Sequence, residues 1–256
     1  MKILAVVGKG GVGKTTMTYL IAQDIINRGF HPLLIDADPT MSHLMRLLGI
    51  KTENTIENIR QGVIRIATMG DKSEKINLAQ NIDEVVSDCI IKSVDYSLMV
   101  IGQPQSAGCF CPSNTLLRNV IENISDEYEY VIIDCEAGME QIHRSVVRSI
   151  DFLLIISDSS LRSLETAVKI KKAAKKYTKF KDYGVIVNRL RQTHKKAILE
   201  MLKKKDLNLI GTIREVSEIT NLELEGKSLS DLPTSSDCIS DLSQIVDKII
   251  KLMNNS

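Results

Sequence analysis

Short runs of β-branched and other apolar residues alternate along this chain with longer amphipathic segments. The runs are Ile3–Val7, Pro32–Ile35, Ser97–Ile101, Tyr130–Asp134, Phe152–Ser157, Val185–Asn188 and Leu207–Ile213. Several are apolar throughout, as strands covered on both faces must be. The alternation therefore predicts an α/β fold, a mostly parallel central sheet with helices on both faces. Val63–Thr68 reads as an additional strand or hairpin. Toward the end, Leu242, Ile245, Val246, Ile249, Ile250 and Met253 form a helical stripe within Asp237 to Met253. The polar face of that helix mixes Asp with Lys and lacks the basic enrichment of a membrane-surface helix, so it is expected to pack on the sheet. No repeat, low-complexity linker or composition break interrupts the pattern, and residues 1–256 read as a single domain.

Composition narrows the function classes. A chain of 256 residues with 43% apolar content can bury one large core. Its formal charge of +1 argues against an electrostatic nucleic-acid binder, and 4% aromatics with no Trp argues against base-stacking platforms. Ile3–Val7 is too short for a signal or membrane segment, and no stretch approaches the roughly 18 apolar residues of a span. The expectation is a cytoplasmic protein with no membrane partner. Five Cys is an odd count, and one Cys-x-Cys pair points to metal or redox chemistry more than to a disulfide framework.

One motif carries phosphate chemistry. Gly8-Lys9-Gly10-Gly11-Val12-Gly13-Lys14-Thr15 fits G-x-x-x-x-G-K-[ST], follows an apolar run and opens a helical period at Met17, Leu20 and Ile21. Glycines let backbone N–H groups wrap a phosphate, and the helix N-terminus adds partial positive charge. Lys14 is expected to reach the β- and γ-phosphates of a nucleotide, and the Thr15 hydroxyl to ligate Mg²⁺. Acidic residues also stand at the ends of two of the apolar runs. Asp36 and Asp38 follow the second run in Asp36-Ala37-Asp38-Pro39, and Asp134 ends Tyr130-Val131-Ile132-Ile133-Asp134. The Asp36–Asp38 pair also suits a turn that caps the next helix.

The run Lys9-Gly10-Gly11-Val12-Gly13-Lys14-Thr15-Thr16 resembles the deviant Walker A motif of the MinD/ParA/nitrogenase-iron-protein superfamily. The resemblance implies an ATPase turning over ATP to ADP and phosphate as a homodimer. Lys9 would cross to the partner's nucleotide and act as an arginine finger does. Asp38 would orient the attacking water. Asp36 and Asp134 would stand near Mg²⁺, directly or through water. Cys135-Glu136-Ala137-Gly138 would be a switch that moves when the γ-phosphate leaves. Val185-Ile186-Val187-Asn188-Arg189 resembles the adenine site of that superfamily, with Asn188 bonding the base and Arg189 packing on it. Ile213 and Arg214 stand in Gly211-Thr212-Ile213-Arg214, where the superfamily often has Gly-x-Ile-Pro. These matches run from residue 1 to about 216.

Gly108-Cys109-Phe110-Cys111-Pro112 separates branches of that superfamily. On extended backbone, Cys109 and Cys111 point the same way and can grip one soft or borderline metal. A tetrahedral site needs four ligands, and a second chain with the same pair supplies the other two across a two-fold axis. In its place after Ser97–Ile101 the pentapeptide resembles the CooC family, ATPases that help insert nickel into carbon monoxide dehydrogenase, with relatives serving acetyl-CoA synthase. The resemblance implies a metallochaperone that holds Ni²⁺ or Zn²⁺ between two chains and delivers it to a client metalloenzyme. Two alternatives stay open: a ParA/MinD-type positioning switch and an iron-protein-like electron donor. The latter takes a Cys several residues past the Walker B Asp, whereas Cys135 follows Asp134 directly. Cys89, Cys135 and Cys238 read as structural or incidental. His43 and His143 fall near the nucleotide end without the marks of ligands.

Overall fold

In a computed structural model, residues 1–38, 42–103, 119, 121–135 and 149–255 are described. Among them, eight strands form one sheet. These are β1 (Lys2–Gly8), β2 (Leu33–Ala37), β3 (Ile91–Lys92), β4 (Ser97–Val100), β5 (Tyr130–Cys135), β6 (Ser149–Ser157), β7 (Lys179–Leu190) and β8 (Leu209–Arg214). The order is β3-β4-β2-β5-β1-β6-β7-β8. Every pairing is parallel except β3 with β4. Strands β1, β2, β4 and β5 are almost wholly buried, because helices cover both faces. This is the α/β sheet that the apolar runs predict.

Two apolar layers flank the sheet. One packs α3 (Ile56–Met69), α4 (Lys72–Ser87), Ile121, Ile124, α5 (Leu161–Tyr177) and α6 (Lys195–Lys204) against it. The other packs α1 (Lys14–Asn27), α2 (His43–Leu47) and α8 (Asp237–Asn255), with the short α7 (Ser217–Leu224) alongside. The α8 stripe is buried at Cys238, Leu242, Ile245, Val246, Ile249 and Met253, so it packs as its period predicts. Arg28, which caps the C-terminus of α1, fastens it by donating to Asp247 at 2.6 Å. Among the described residues, no helix is long and apolar enough to cross a membrane.

One element differs from its sequence reading. Val63–Thr68 lies inside helix α3, not in a strand. Its buried positions are Ile56, Glu57, Arg60 and Val63, a helical spacing that begins before the apolar run itself. Thr55 caps the helix by accepting from the Asn58 backbone N–H at 3.2 Å. Glu57 and Arg60, one turn apart, form a buried ion pair at 2.6 Å. The cap and the polar members of the buried stripe decide the outcome, and the β-branched run alone does not show them.

The strand order creates the functional end of the sheet. From β1 the chain crosses to β2 on one side, returns through β5 beside β1, and then places β6 on the other side. Connections leave β1 in opposite directions, so a crevice opens at its carboxyl end, the usual ligand position in such sheets.

Candidate nucleotide site

Strand β1 ends at Gly8, and helix α1 begins at Lys14. The turn between them needs glycine at both ends. A Cβ on Gly8 would stand 2.3 Å from the Ile156 carbonyl oxygen of β6. Gly13 holds φ 89°, and a Cβ there would meet the Asn188 amide nitrogen at 2.7 Å. The first consequence is a loop packed against β6 and β7. The second is that backbone N–H groups and the start of α1 converge on one open cleft of about 890 Å³, which Gly10, Gly11, Gly13, Lys14, Thr15 and Thr16 line. Lys14 curls over the loop and donates to the Lys9 carbonyl at 3.4 Å.

Two aspartates stand behind the loop. Asp36 is the penultimate residue of β2 and Asp134 of β5, and the register makes them direct neighbours. Both are buried. Burial raises the Asp36 carboxyl to about 7; the charge of Asp134 adds to this, while backbone N–H groups of Met45 and Asp38 oppose it. Burial likewise raises Asp134 to about 6, against the hydroxyls of Thr15 and Thr18 and the charge of Lys14. Thr18 donates to Asp134 Oδ1 at 3.3 Å, whereas Asp134 Oδ2 is buried without a hydrogen-bond partner. An unpartnered buried carboxylate oxygen is costly, and a cation or its hydration shell relieves that cost. With Thr15 and Asp36 beside it, the donor set is all hard oxygen, which fits Mg²⁺.

Asp36 also holds the neighbouring segment. Its Oδ1 accepts from Asp38 N–H at 3.3 Å and its Oδ2 from Met45 N–H at 3.1 Å. The cleft is thereby walled by Asp38 and by His43, Arg46, Leu47, Leu48 and Gly49 of the α2 region. His43 thus stands at the nucleotide end, as its position after Asp38 predicts. Arg46 to Gly49 carry no motif in the sequence.

The other side of the cleft is more mixed. Asn188 is buried and donates its side-chain amide to the Val12 carbonyl at 2.9 Å, which pins the loop to β7. Arg189 lines the cleft with a positive φ of 53° and donates to the Gly11 carbonyl at 3.3 Å. Ile213 is 1% exposed. Arg214 reaches toward α8: its backbone N–H and its guanidinium both donate to Asp241, and it pairs with Asp237 at 2.7 Å. A proline there would lack that N–H. Gly226, Lys227 and Ser228 complete the lining, from a segment that no sequence signal marks.

Cys109, Cys111 and His143 lie outside the described residues. Among the described residues, no group of three or more His, Cys, Asp and Glu is placed to hold a metal ion. Cys89, Cys135 and Cys238 are buried free thiols. Burial pushes the Cys135 thiol well above its ordinary value, with the Asp134 charge adding to this, so it is a poor thiolate.

A family profile described as an AAA domain matches residues 1–185. An uncharacterised ATP-binding protein of Methanocaldococcus jannaschii is 34% identical over 249 residues, 97% of this chain and 98% of that one. The carbon monoxide dehydrogenase accessory protein CooC of Rhodospirillum rubrum is 31% identical over 184 residues, 68% of this chain and 69% of CooC. The septum site-determining protein MinD of Bacillus subtilis is 23% identical across 87% of this chain and 79% of that protein. In fold, the MinD cell division protein of Aquifex aeolicus matches with a TM-score of 0.71 at 19% identity, covering 98% of this chain and 97% of that one.

Proposed function

The chain belongs to the AAA-domain family, and we propose that it is an ATP-dependent metallochaperone of the CooC type. An ATP-binding protein of the MinD/ParA kind is the common ground of its relatives. The finer reading rests on the 31% identity to CooC in a chain that carries Gly108-Cys109-Phe110-Cys111-Pro112.

On this reading Lys14 and the loop N–H groups hold the phosphates, and Thr15, Asp36 and Asp134 hold Mg²⁺, which neutralises phosphate charge when bound. Asp38 aligns the water that attacks the γ-phosphate. Lys9 reaches the nucleotide of the partner chain, so turnover requires the homodimer. The client metalloenzyme is of the carbon monoxide dehydrogenase or acetyl-CoA synthase type. The transported ion, Ni²⁺ or Zn²⁺, is substrate to the dimer, held by Cys109 and Cys111 of both chains. ATP-driven closure alters how that pair is presented and so couples hydrolysis to release.

The test is metal stoichiometry in purified protein with and without ATP. One divalent ion per dimer is expected, with thiolate charge-transfer bands on adding Ni²⁺. Cys109→Ser and Cys111→Ser should lose both while still binding ATP. One ion per chain, or metal retained by both variants, would overturn the shared site.

A second reading, a MinD/ParA-type positioning ATPase, is favoured by a different observation. The +1 net charge conceals strong segregation: residues 161–205 hold fifteen Lys and Arg against three Asp and Glu. Arg162, Lys169, Lys172 and Lys176 are all exposed on α5 and fall at helical spacing on one outward face. Such a face suits a polyanionic surface. ATP-dependent pelleting with DNA or anionic vesicles, in protein that carries no metal, would select this reading over the first.

A further inference from the structure

The nucleotide cleft opens at the carboxyl ends of the parallel strands. A second cleft, of about 460 Å³, lies at the opposite edge of the sheet and shares no lining residue with the first. Ser149 and Ile150 open β6 there, Lys175 stands in the last turn of α5, and Thr178 to Lys181 lead into β7. Ser149 and Lys179 are partners at the first register position of β6 with β7. Strand β7 carries Lys179 at this edge and Arg189 in the nucleotide cleft, ten residues on and roughly 30 Å away. We propose that this second cleft is a ligand site of its own, and that it takes a small phosphomonoester, a dianion on an apolar body.

Charge is the first support. Three of the seven lining residues are lysines and none is acidic. The carboxylates nearby are already engaged. Asp151 takes the Lys181 ammonium on Oδ1 at 2.8 Å and the Ile3 N–H on Oδ2 at 2.7 Å. Asp206, whose carboxyl also feels the charge of Lys175, is held by Lys171 at 2.8 Å. Among the described residues, Lys175 and Lys179 have no ion-pair partner. The C-terminal dipole of α5 accounts for a lysine in its last turn, as at Lys175, but not for Lys179 and Lys181 from the strand beyond. Two unpaired ammoniums beside about half a unit of negative dipole match a charge of about −1.5 to −2, which a phosphomonoester carries at neutral pH.

The wall adds two features. Thr178 lines the cleft, and its Oγ1 is buried without a hydrogen-bond partner among the described residues. An unspent buried hydroxyl is costly, and a ligand oxygen would satisfy it. Phe180 lines the cleft half-buried, edge to face with Tyr183 at 6.3 Å. Its ring and the lysine stems give an apolar surface below ammonium heads, which suits an anion with an apolar body. The cation type narrows the class further. Lysine serves phosphate as a point charge, whereas a planar carboxylate calls for the fork of an arginine, and no arginine lines this cleft.

The probes are phenyl phosphate, inorganic phosphate and benzoate, titrated by calorimetry into the full chain with Mg-ADP present to block the nucleotide cleft. One phenyl phosphate per chain is expected, with the other two probes roughly tenfold weaker or more. Lys175→Ala and Lys179→Ala should each lower phenyl phosphate affinity roughly tenfold, the loss of one charge-assisted bond. Thr178→Val keeps the side-chain shape and removes only the hydroxyl. It should weaken phenyl phosphate about three- to tenfold while the melting temperature of ligand-free protein holds or rises. The lysine variants report on this cleft alone, so the outcome stands whether or not ADP binds. No phenyl phosphate bound, or affinity unchanged in both lysine variants, overturns the site. Displacement of Mg-ADP with no second binding event overturns it too, since that places the phosphate in the nucleotide cleft. Benzoate binding as tightly as phenyl phosphate overturns the dianion class, and inorganic phosphate binding as tightly overturns the apolar body.

Discussion

The two ends of the cleft are built in opposite ways. The phosphate end is one contiguous stretch, Gly8 to Thr16, and its geometry follows from local backbone chemistry: glycine at two crowded or positive-φ positions, then a helix N-terminus. The opposite end gathers short pieces from β7, the α2 region and the segment after α7, far apart in sequence. The phosphate end binds through backbone N–H groups that any side chain leaves in place. The other walls are side chains whose positions depend on partners far along the chain, such as Asn188, which donates its amide to the Val12 carbonyl. A phosphate grip is thus constrained by local chemistry, while the second wall is open to change residue by residue.

The comparison can be broken most severely at Lys14. Lys14→Ala removes charge-assisted bonds common to ATP and tripolyphosphate, so both should weaken on the order of 10³-fold in calorimetry. Selective loss of ATP alone would place Lys14 with the nucleoside and not the phosphates. Next in size is Asp38→Ala, expected to bind ATP normally while turnover drops about 100-fold or more. Ordinary phosphate release by that variant would move the water-orienting role elsewhere.

A smaller effect tests the backbone at the phosphate end. Gly13→Ala forces a Cβ onto φ 89° and into the Asn188 amide, and should destabilise the loop by about 1–3 kcal/mol. A melting temperature and ATP affinity equal to wild type would show that this glycine is not required. The smallest effect is pH-dependent. Asp36 and Asp134 titrate in the folded protein near 7 and 6, above the ordinary 3.8 of an unfolded aspartate. The folded protein therefore retains protons that the unfolded chain releases. Their stabilising contribution to ligand-free protein is fully present below about pH 4 and is lost as pH rises to about 7. Mg²⁺-dependent ATP binding has the opposite trend, because the cation needs the ionised carboxylates. It should release protons near pH 6 and weaken roughly tenfold between pH 7 and 5.5. Calorimetry in buffers of different ionisation enthalpy reads the proton count, and Asp36→Asn should reduce it. Tripolyphosphate and ATP should share this dependence, since it belongs to the phosphate end alone.

Several features were legible because they are short-range. The β-α alternation, the phosphate loop, the strands ending in Asp36 and Asp134, and the α8 stripe each declare themselves within about 20 residues. The Val63–Thr68 reading failed where a β-branched run sat inside a longer helical period whose buried members include Glu57 and Arg60. A polar residue in a buried stripe looks like an interruption until its ion pair is known. Net charge is a coarser signal, since a whole-chain sum of +1 does not show that fifteen of the cations fall within residues 161–205.

By itself, then, the sequence determined the sheet class, the phosphate loop and the residue types available to a divalent cation. These depend on backbone sterics and periodicity, which act between near neighbours. Only the tertiary structure made Asp36 and Asp134 adjacent, because strand β5 inserts between β1 and β2, and strand order is a global packing choice. It alone turned Arg214 toward Asp241 and Asn188 toward the Val12 carbonyl, over separations of 27 and 176 residues. Contacts of that range are chosen by which surfaces the folded core brings together, and no local propensity encodes them.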